Sequence, residues 1–564
     1  AGQNRRVSAN EPSWTKNYQP GVPAEIDLPD EPLTAMFERS CHLGGRGTAL
    51  EFFGARTSYA RLGDQVARVA EGLRKLGVHP GDRVALVLPN CPQHVVAFYA
   101  VLRLGAIVVE HNPLYTAAEL GRMVADHGAR VAIAWDAAAA KLDGLVETVV
   151  AVNLLDAMPR LKRAALALPL PALKKARAKL HAPAPGSLTW AKLVSSRRLK
   201  ASHPRPRPAD LAVVQYTSGT TGAFRGAMLT HRNLYANALQ GAAWMKDAVD
   251  GRETIYAVLP MFHAFGMTLY LTFGILKRGH LVLFPTFDVD MVLDVARRRP
   301  PTVYCAVPPI YERTARRARQ RKIDLTSAKF CISGAMRLSD PVVELWESVS
   351  GGFLVEGYGL TEASPVALGN PFWPTRRTGT IGVPFPSTLM RVVDPEDPTR
   401  EVSQGEPGEL LLHGPQVFSG YWNDPDASAA ALLPGGWLRT GDIVTVDADG
   451  FATVVDRLKE IIVTNGFNVS PSEVEEVLAG APGVSACAVV GIPKPNGDER
   501  VVAAIVPEPG HPLDPDALRS FCHESLAGYK VPRRFVEVDE LPTSMLGKVL
   551  RRQVRDQVAE RLAA

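Results

Sequence analysis

Hydrophobic positions over residues 58 to 136 follow two periods in turn. Val66, Val69, Leu73 and Leu76 recur at helical spacing and predict an amphipathic helix, after which Pro80-Gly81-Asp82 turns the chain into the apolar run VALVLP. A second helix, from about Gln93 to Leu104, leads to AIVV, and a third leads to VAIAW. Short apolar runs separated by helices are the pattern of parallel strands with crossover helices on both faces of the sheet. The expectation is an α/β fold: a large N-terminal domain of mixed and parallel sheets covered by helices.

The pattern changes at two places. Residues 159 to 185, RLKRAALALPLPALKKARAKLHAPAP from Arg160, set cations among Leu and Ala, and prolines divide them into short pieces. A solvated linker or helical insertion is the ordinary reading, and a surface for anionic lipid is the functional one, since Lys and Arg near such a surface contribute about 1 kcal/mol each. Past Val454, short strands alternate with capped helices: IIV, then Ser470-Pro471-Ser472-Glu473, then ACAVVGIP and VVAAIVP, then Asp514-Pro515. This predicts a small, mobile α+β domain over 458–564 after a domain over 1–457, with a hinge near Asp456 to Lys459. No internal repeat is present.

Length agrees with two domains, because 564 residues exceed what one core supports, about 250 to 300 residues. Net charge is only +5, from 63 basic and 58 acidic side chains, so nucleic acid is not an expected partner. Cys41, Cys91, Cys305, Cys331, Cys487 and Cys522 are scattered singly, which predicts reduced, mostly buried thiols and no metal cluster. The polar start AGQNRRVSANEPSW and the lack of a long apolar run predict a chain that is neither secreted nor membrane-spanning. A cytoplasmic protein follows, with peripheral contact at the inner face of the membrane and a homodimer both left open.

Candidate chemistry begins after the strand-like run LAVVQ, at Thr217-Ser218-Gly219-Thr220-Thr221-Gly222-Ala223-Phe224-Arg225-Gly226. Glycines let the backbone approach closely and present N–H groups, and hydroxyls and a cation add to them, so the loop suits phosphate oxygens. It lacks the spacing of a Walker A loop. Further segments, in chain order, are PMFHAFGM from Pro260, SGAM from Ser333, EGYGLTEASP from Glu356, GWLRTGD from Gly436, DRLKEIIVTNGFNVSPSEVE from Asp456 and LPTSMLGKVLRR from Leu541.

Together these segments resemble the adenylate-forming superfamily of acyl-CoA synthetases, luciferases and peptide-synthetase adenylation domains, across nearly the whole chain. The family's loop usually ends Pro-Lys-Gly, whereas this chain has Phe224-Arg225-Gly226, which replaces a point charge by a planar fork. The resemblance implies ATP, Mg2+ and coenzyme A as cofactor and co-substrates. It implies Glu362, with Thr221, at Mg2+; Thr361 at the α-phosphate; Tyr358 and Gly359 at adenine, facing Gly334, Ala335 and Met336; Asp442 at ribose, with Arg457 at ribose or phosphate; and His263 beside the acyl tunnel. It further implies Lys548 as the catalytic cation of adenylation, Lys459 as the pivot of a domain swing, and Gly466 and Phe467 beside the CoA arm. Their ordinary readings are a surface Glu, a turn-capping Asp, a salt-bridged Arg, a core His and a solvated Lys.

The implied reaction is attack of a carboxylate on the α-phosphate of ATP, then displacement of AMP by the CoA thiol. HNPLYTAAEL, Asn370-Pro371 and GYKVP resemble bacterial long-chain fatty-acid-CoA ligases in particular. A medium-chain or aryl acid, delivery to a carrier protein, luciferase-type oxidation, and a lipid-binding protein without adenylation are the alternatives.

Overall fold

The helix expected from Val66, Val69 and Leu73 spans Tyr59–Lys75, and Ser58 caps it by accepting a hydrogen bond from the Arg61 N–H at 3.3 Å. Those three side chains are buried, while Leu76 lies half-buried just past the helix end, where Gly77 takes φ +85. Truncating Leu73 to Ala would cost about 2–5 kcal/mol. The helix Pro92–Arg103 is buried nearly all round, as its near-continuous apolar sequence requires.

A computed structural model describes residues 12–218, 224–458, 460–464, 467–494, 499–544 and 547–563. The chain forms two compact units, Ala1–Leu389 with Leu412–Leu438, and Met390–Leu411 with Arg439–Ala564. The residues around Asp456 therefore lie within the second unit, which takes up the chain at Arg439, ahead of the 457/458 boundary expected from sequence.

In the first unit a seven-stranded sheet runs in the order Leu188–Thr189, Thr148–Val152, Val131–Trp135, Arg83–Val87, Ile107–Glu110, Leu211–Ser218, Phe224–Thr230. Val84 pairs in parallel with both Val108 and Val131, as the helix-strand rhythm predicts. The final pair, Leu211–Ser218 with Phe224–Thr230, is an antiparallel hairpin on this otherwise parallel sheet. Two four-stranded sheets complete the unit, one of them Cys331–Ser333, Leu354–Gly359, Val366–Gly369 and Val383–Pro384. The basic insertion forms two short helices, Arg160–Leu166 and Pro171–Ala178, that bury no residue.

In the second unit, Trp437–Val446 pairs antiparallel with Ala452–Arg457, and Ile462–Thr464 with Phe467–Val469. Val484–Pro493, Glu499–Pro507 and Arg534–Glu537 form a further sheet, against which Val474, Leu478, Leu518 and Cys522 from two helices pack. Those helices start where the capping residues predict: Ser470 opens Pro471–Ala479 and Asp514 opens Pro515–Ser525. All six cysteines are free thiols, and only Cys487 is not fully buried. Among the described residues no helix is long and apolar enough to cross a membrane.

Candidate active site

In the first unit the candidate phosphate loop joins two paired strands, so Thr217 stands opposite Arg225 and Ser218 opposite Phe224. The Thr217 hydroxyl donates to the Arg225 carbonyl at 3.5 Å. Gly219, Thr220, Thr221 and Gly222 lie outside the described residues. The departure at Phe224-Arg225 is built into its surroundings. Phe224 meets Tyr115 edge-on at 5.9 Å and lies under the Arg122 guanidinium at 5.5 Å, while Arg225 stands 3.4 Å from Asp424 and 5.6 Å over the Tyr421 ring.

Glu362 lies in the short 3-10 turn Thr361–Ala363, which Ala363 anchors in the core. The Tyr421 hydroxyl donates to Glu362 Oε1 at 2.7 Å, and the Phe418 N–H donates to the Glu362 carbonyl at 2.8 Å. Glu362 Oε2 accepts no hydrogen bond among the described residues, which leaves one hard oxygen for a cation of small coordination demand. The phosphate-loop cation and this carboxylate thus share Tyr421 as a neighbour.

The candidate adenine slot is shaped by backbone. Ala335 takes φ +67, a conformation that a residue with a Cβ rarely adopts, at the turn following Cys331–Ser333. A Cβ on Gly334 would come 2.9 Å from Phe265 Cε1, so the SGAM and PMFHAFGM segments meet closely there. A Cβ on Gly359 would come 2.1 Å from the Pro365 carbonyl, which excludes any side chain at that position. Tyr358 is half-buried beside it, and Met336 is half-buried on the opposite segment.

Glu356, which the sequence reading passed over, accepts hydrogen bonds from the N–H groups of Leu338 at 3.2 Å and Gly379 at 2.8 Å. It fixes the chain just after Met336, and burial pushes its carboxyl up to about 7. His263 is accessible at its own surface yet ringed by protein, which desolvates its ring and lowers its pKa to about 4. Its Nδ1 accepts from the Phe265 N–H at 3.3 Å, so the neutral ring carries its proton on Nε2.

In the second unit, Asp442 and Arg457 face each other across paired strands, with Arg457 Nε 3.1 Å from Asp442 Oδ1. Asp442 is buried, and Thr440 Oγ1 accepts from its N–H at 3.1 Å. Lys548 joins them on a turn set by Gly547 at φ +79, where the Ser544 N–H donates to the Lys548 carbonyl at 2.7 Å and Ser544 Oγ accepts from the Lys548 N–H at 3.1 Å. Burial lowers the Lys548 ammonium to about 8, Arg457 adding to the shift and Glu460 and Asp442 opposing it. Lys548 is half-buried rather than fully solvated. The salt-bridged reading of Arg457 is found, with Asp442 as its partner. Lys459 and Gly466 lie outside the described residues, and Phe467 begins the strand Phe467–Val469.

Tyr421 and Asp424 were not legible as site residues. No motif marks them, and their contacts with Glu362 and Arg225 form only when distant segments come together.

A model of AMP-binding enzymes matches residues 37–422, and a model of the AMP-binding enzyme C-terminal domain matches residues 473–548. A long-chain-fatty-acid-CoA ligase of Bacillus subtilis (strain 168) is 36% identical over 561 residues, which cover 97% of this chain and 98% of that protein. A feruloyl-CoA synthase of Amycolatopsis sp is 36% identical over 523 residues, covering 92% of this chain and 97% of that one. The crystal structure of ATP-bound MatB from Rhodopseudomonas palustris matches with a TM-score of 0.79 at 27% identity, over 93% of this chain and 98% of the other. With both models and near-complete relatives in agreement, the chain belongs to the AMP-binding, adenylate-forming family of enzymes.

Proposed function

We propose that this enzyme joins a long-chain fatty acid to coenzyme A through an acyl-adenylate, with release of AMP and pyrophosphate. The observation that carries the reading is near-full-length identity of 36% to long-chain-fatty-acid-CoA ligases, in a chain where Asp442, Arg457 and a desolvated Lys548 lie together. Asp442 accepts from the ribose hydroxyls, which requires Arg457 to share its carboxylate. Lys548 acts on the charge that builds on the attacking carboxylate and the α-phosphate, and its partial desolvation strengthens that interaction. His263, neutral with its proton on Nε2, offers a hydrogen bond to the acid and orients it.

Thr217, Ser218, Gly219, Thr220, Gly222 and Arg225 hold phosphate oxygens, with Thr361 at the α-phosphate and Tyr358 with Gly359 against adenine. Glu362, through Oε2, and Thr221 would hold Mg2+, which when bound neutralises phosphate charge. For the second half-reaction, the small domain turns about Lys459 and brings Gly466 and Phe467 beside the CoA arm.

The test is acyl-CoA and pyrophosphate release with acetate, octanoate, oleate and ferulate, for the wild type and Lys548→Ala. A maximum at oleate, lost in the variant, supports the reading. The feruloyl-CoA synthase relative favours a second reading as an aryl acid ligase, and a maximum at ferulate would replace the first.

Membrane contact belongs to the same proposal. The segment 159–185 carries seven cations and no acidic residue, and Leu161, Leu168 and Leu170 are 86%, 52% and 55% exposed. Its far end is tied to the sheet, as His181 and the Ala182 N–H both bond Asp136. A basic, leucine-studded ledge suits the inner leaflet from which a fatty acid is drawn. Vesicles containing phosphatidylserine should retain the wild type and lose a Lys174→Ala, Lys175→Ala, Arg177→Ala variant, and equal retention sinks the idea.

A further inference from the structure

Arg225 and Glu362 are opposite charges assigned to one triphosphate, the guanidinium by direct contact and the carboxylate through a divalent cation. Two such groups on neighbouring segments tend to neutralise each other when no nucleotide separates them. No ion pair joins them among the described residues, because each is occupied by something else. The Tyr421 hydroxyl donates to Glu362 Oε1 at 2.7 Å, and the face of the same ring lies 5.6 Å from the Arg225 guanidinium. Asp424 Oδ2 stands 3.4 Å from Arg225 Nε and supplies the countercharge.

The backbone holds this arrangement in register. Residues 419–422 lie along the strand Phe224–Thr230 as an extra antiparallel edge: Met228 N–H donates to the Gly420 carbonyl at 2.9 Å, Ser419 N–H to the Met228 carbonyl at 3.0 Å and Trp422 N–H to the Gly226 carbonyl at 2.7 Å. Gly226 permits that approach, since a Cβ there would lie 2.6 Å from Val214 Cγ1 and 3.3 Å from Trp422 Cβ. The same segment is tied to the Glu362 turn through the Phe418 N–H. Tyr421 is therefore fixed between the return strand of the phosphate loop and the turn that carries the carboxylate.

Asp424 divides its two oxygens. Oδ1 accepts from the Ala427 N–H at 2.9 Å and caps the helix Pro425–Ala431, while Oδ2 faces Arg225. The contact engages the Nε edge of the guanidinium, and the terminal nitrogens carry no hydrogen bond among the described residues. Arginine can serve both sides at once, because its planar fork presents donors on two edges, which a lysine ammonium cannot do.

We propose that Tyr421 and Asp424 are positioning residues that hold Arg225 and Glu362 apart, the tyrosine by bonding the carboxylate and supporting the guanidinium, the aspartate by fixing its Nε edge. Both charges then stay available to a magnesium-bound triphosphate, and the unusual Phe224-Arg225 pair becomes a working variant of the loop. This rests on the assignment of Arg225 and Glu362 to the nucleotide made above.

The test is equilibrium binding of ATP to the full chain by calorimetry across a Mg2+ series, with no acid and no CoA present. Tyr421→Phe keeps the ring and removes only the hydroxyl. It should weaken binding about tenfold, as expected for a hydrogen bond to a charged group, and raise the Mg2+ midpoint. A tyrosine that serves only packing would leave that midpoint in place. Asp424→Asn keeps the helix cap and removes the countercharge, so it should weaken binding several-fold with the Mg2+ midpoint unchanged. Wild-type binding and midpoint in both variants, with Arg225→Ala and Glu362→Gln still weakened, would overturn the positioning role and leave the nucleotide assignment standing. Wild-type binding in Arg225→Ala and Glu362→Gln would overturn that assignment itself.

Discussion

The two charged clusters of this enzyme are built on opposite plans. In the large unit, Arg225 and Glu362 are half-exposed and kept from each other by Tyr421 and Asp424. In the small unit, Lys548 is packed among Arg457, Asp442 and Glu460, and burial dominates its chemistry. Groups that grip ATP before and after reaction gain little from desolvation, since they bind ground and transition states alike. A cation that must favour the transition state gains from a low-dielectric site, but desolvation brings its pKa close to the working range. On the roles proposed above, the difference separates holding from catalysis, and each side can be perturbed alone.

The largest effect is expected at Lys548. Lys548→Ala should lower the rate of adenylation by about 10²–10³-fold, the range for removal of one charge-stabilising donor. Supplied acyl-adenylate should still react with CoA at a rate near that of the wild type. Equal loss of both half-reactions would erase the distinction between the clusters.

Asp442→Ala comes next, because it removes the proposed ribose acceptor and strands the Arg457 guanidinium. A loss of about 1.5–3 kcal/mol in ATP binding, at least tenfold, is the expectation from direct titration. Unchanged ATP affinity would leave Asp442 as only the partner of Arg457.

The pH dependence sharpens the comparison further. The Lys548 pKa is lowered, so its cation is present below about 8 and is lost as pH rises through that value. Adenylation kcat/KM should therefore fall above pH 8, and Lys548→Arg, whose guanidinium stays charged, should flatten that limb even if its plateau is lower. A limb that persists in the arginine variant would assign the titration to another group.

The smallest effect concerns the scaffold of the small unit. Ser470 Oγ accepts from the Glu473 N–H at 3.2 Å and donates to buried Asp456 at 2.5 Å. Ser470→Ala should destabilise the chain by about 1 kcal/mol in urea unfolding, the typical loss of an N-cap. ATP binding by the large unit's cluster should not change.

Much of the fold was legible along the chain. The rhythm over residues 58 to 136 gave the parallel strands, and Ser470 and Asp514 marked helix starts at the residues where they occur. The candidate residues Glu362, Asp442 and Lys548 could be picked out because they sit in segments that resemble the family's motifs, while their own ordinary readings are a surface Glu, a turn-capping Asp and a solvated Lys. Their surroundings were not. Lys548 reads as a solvated side chain in its own sequence, and the burial that lowers its pKa comes from the fold around it. Phe224 looks like a loss beside the family's proline until Tyr115 and Arg122 are seen to enclose it.

By itself, then, the sequence determined the alternation of helices and strands, the caps, and which groups are candidates for phosphate and ribose. Periodicity and capping act over a few residues, so they are complete within a short stretch of chain. Only the tertiary structure decided that Tyr421 meets Glu362, that Asp424 meets Arg225 and that Lys548 is half-buried among Arg457, Asp442 and Glu460. Electrostatic character depends on what distant segments place within a few ångströms and on how much solvent they displace, and neither quantity is carried by neighbours in sequence.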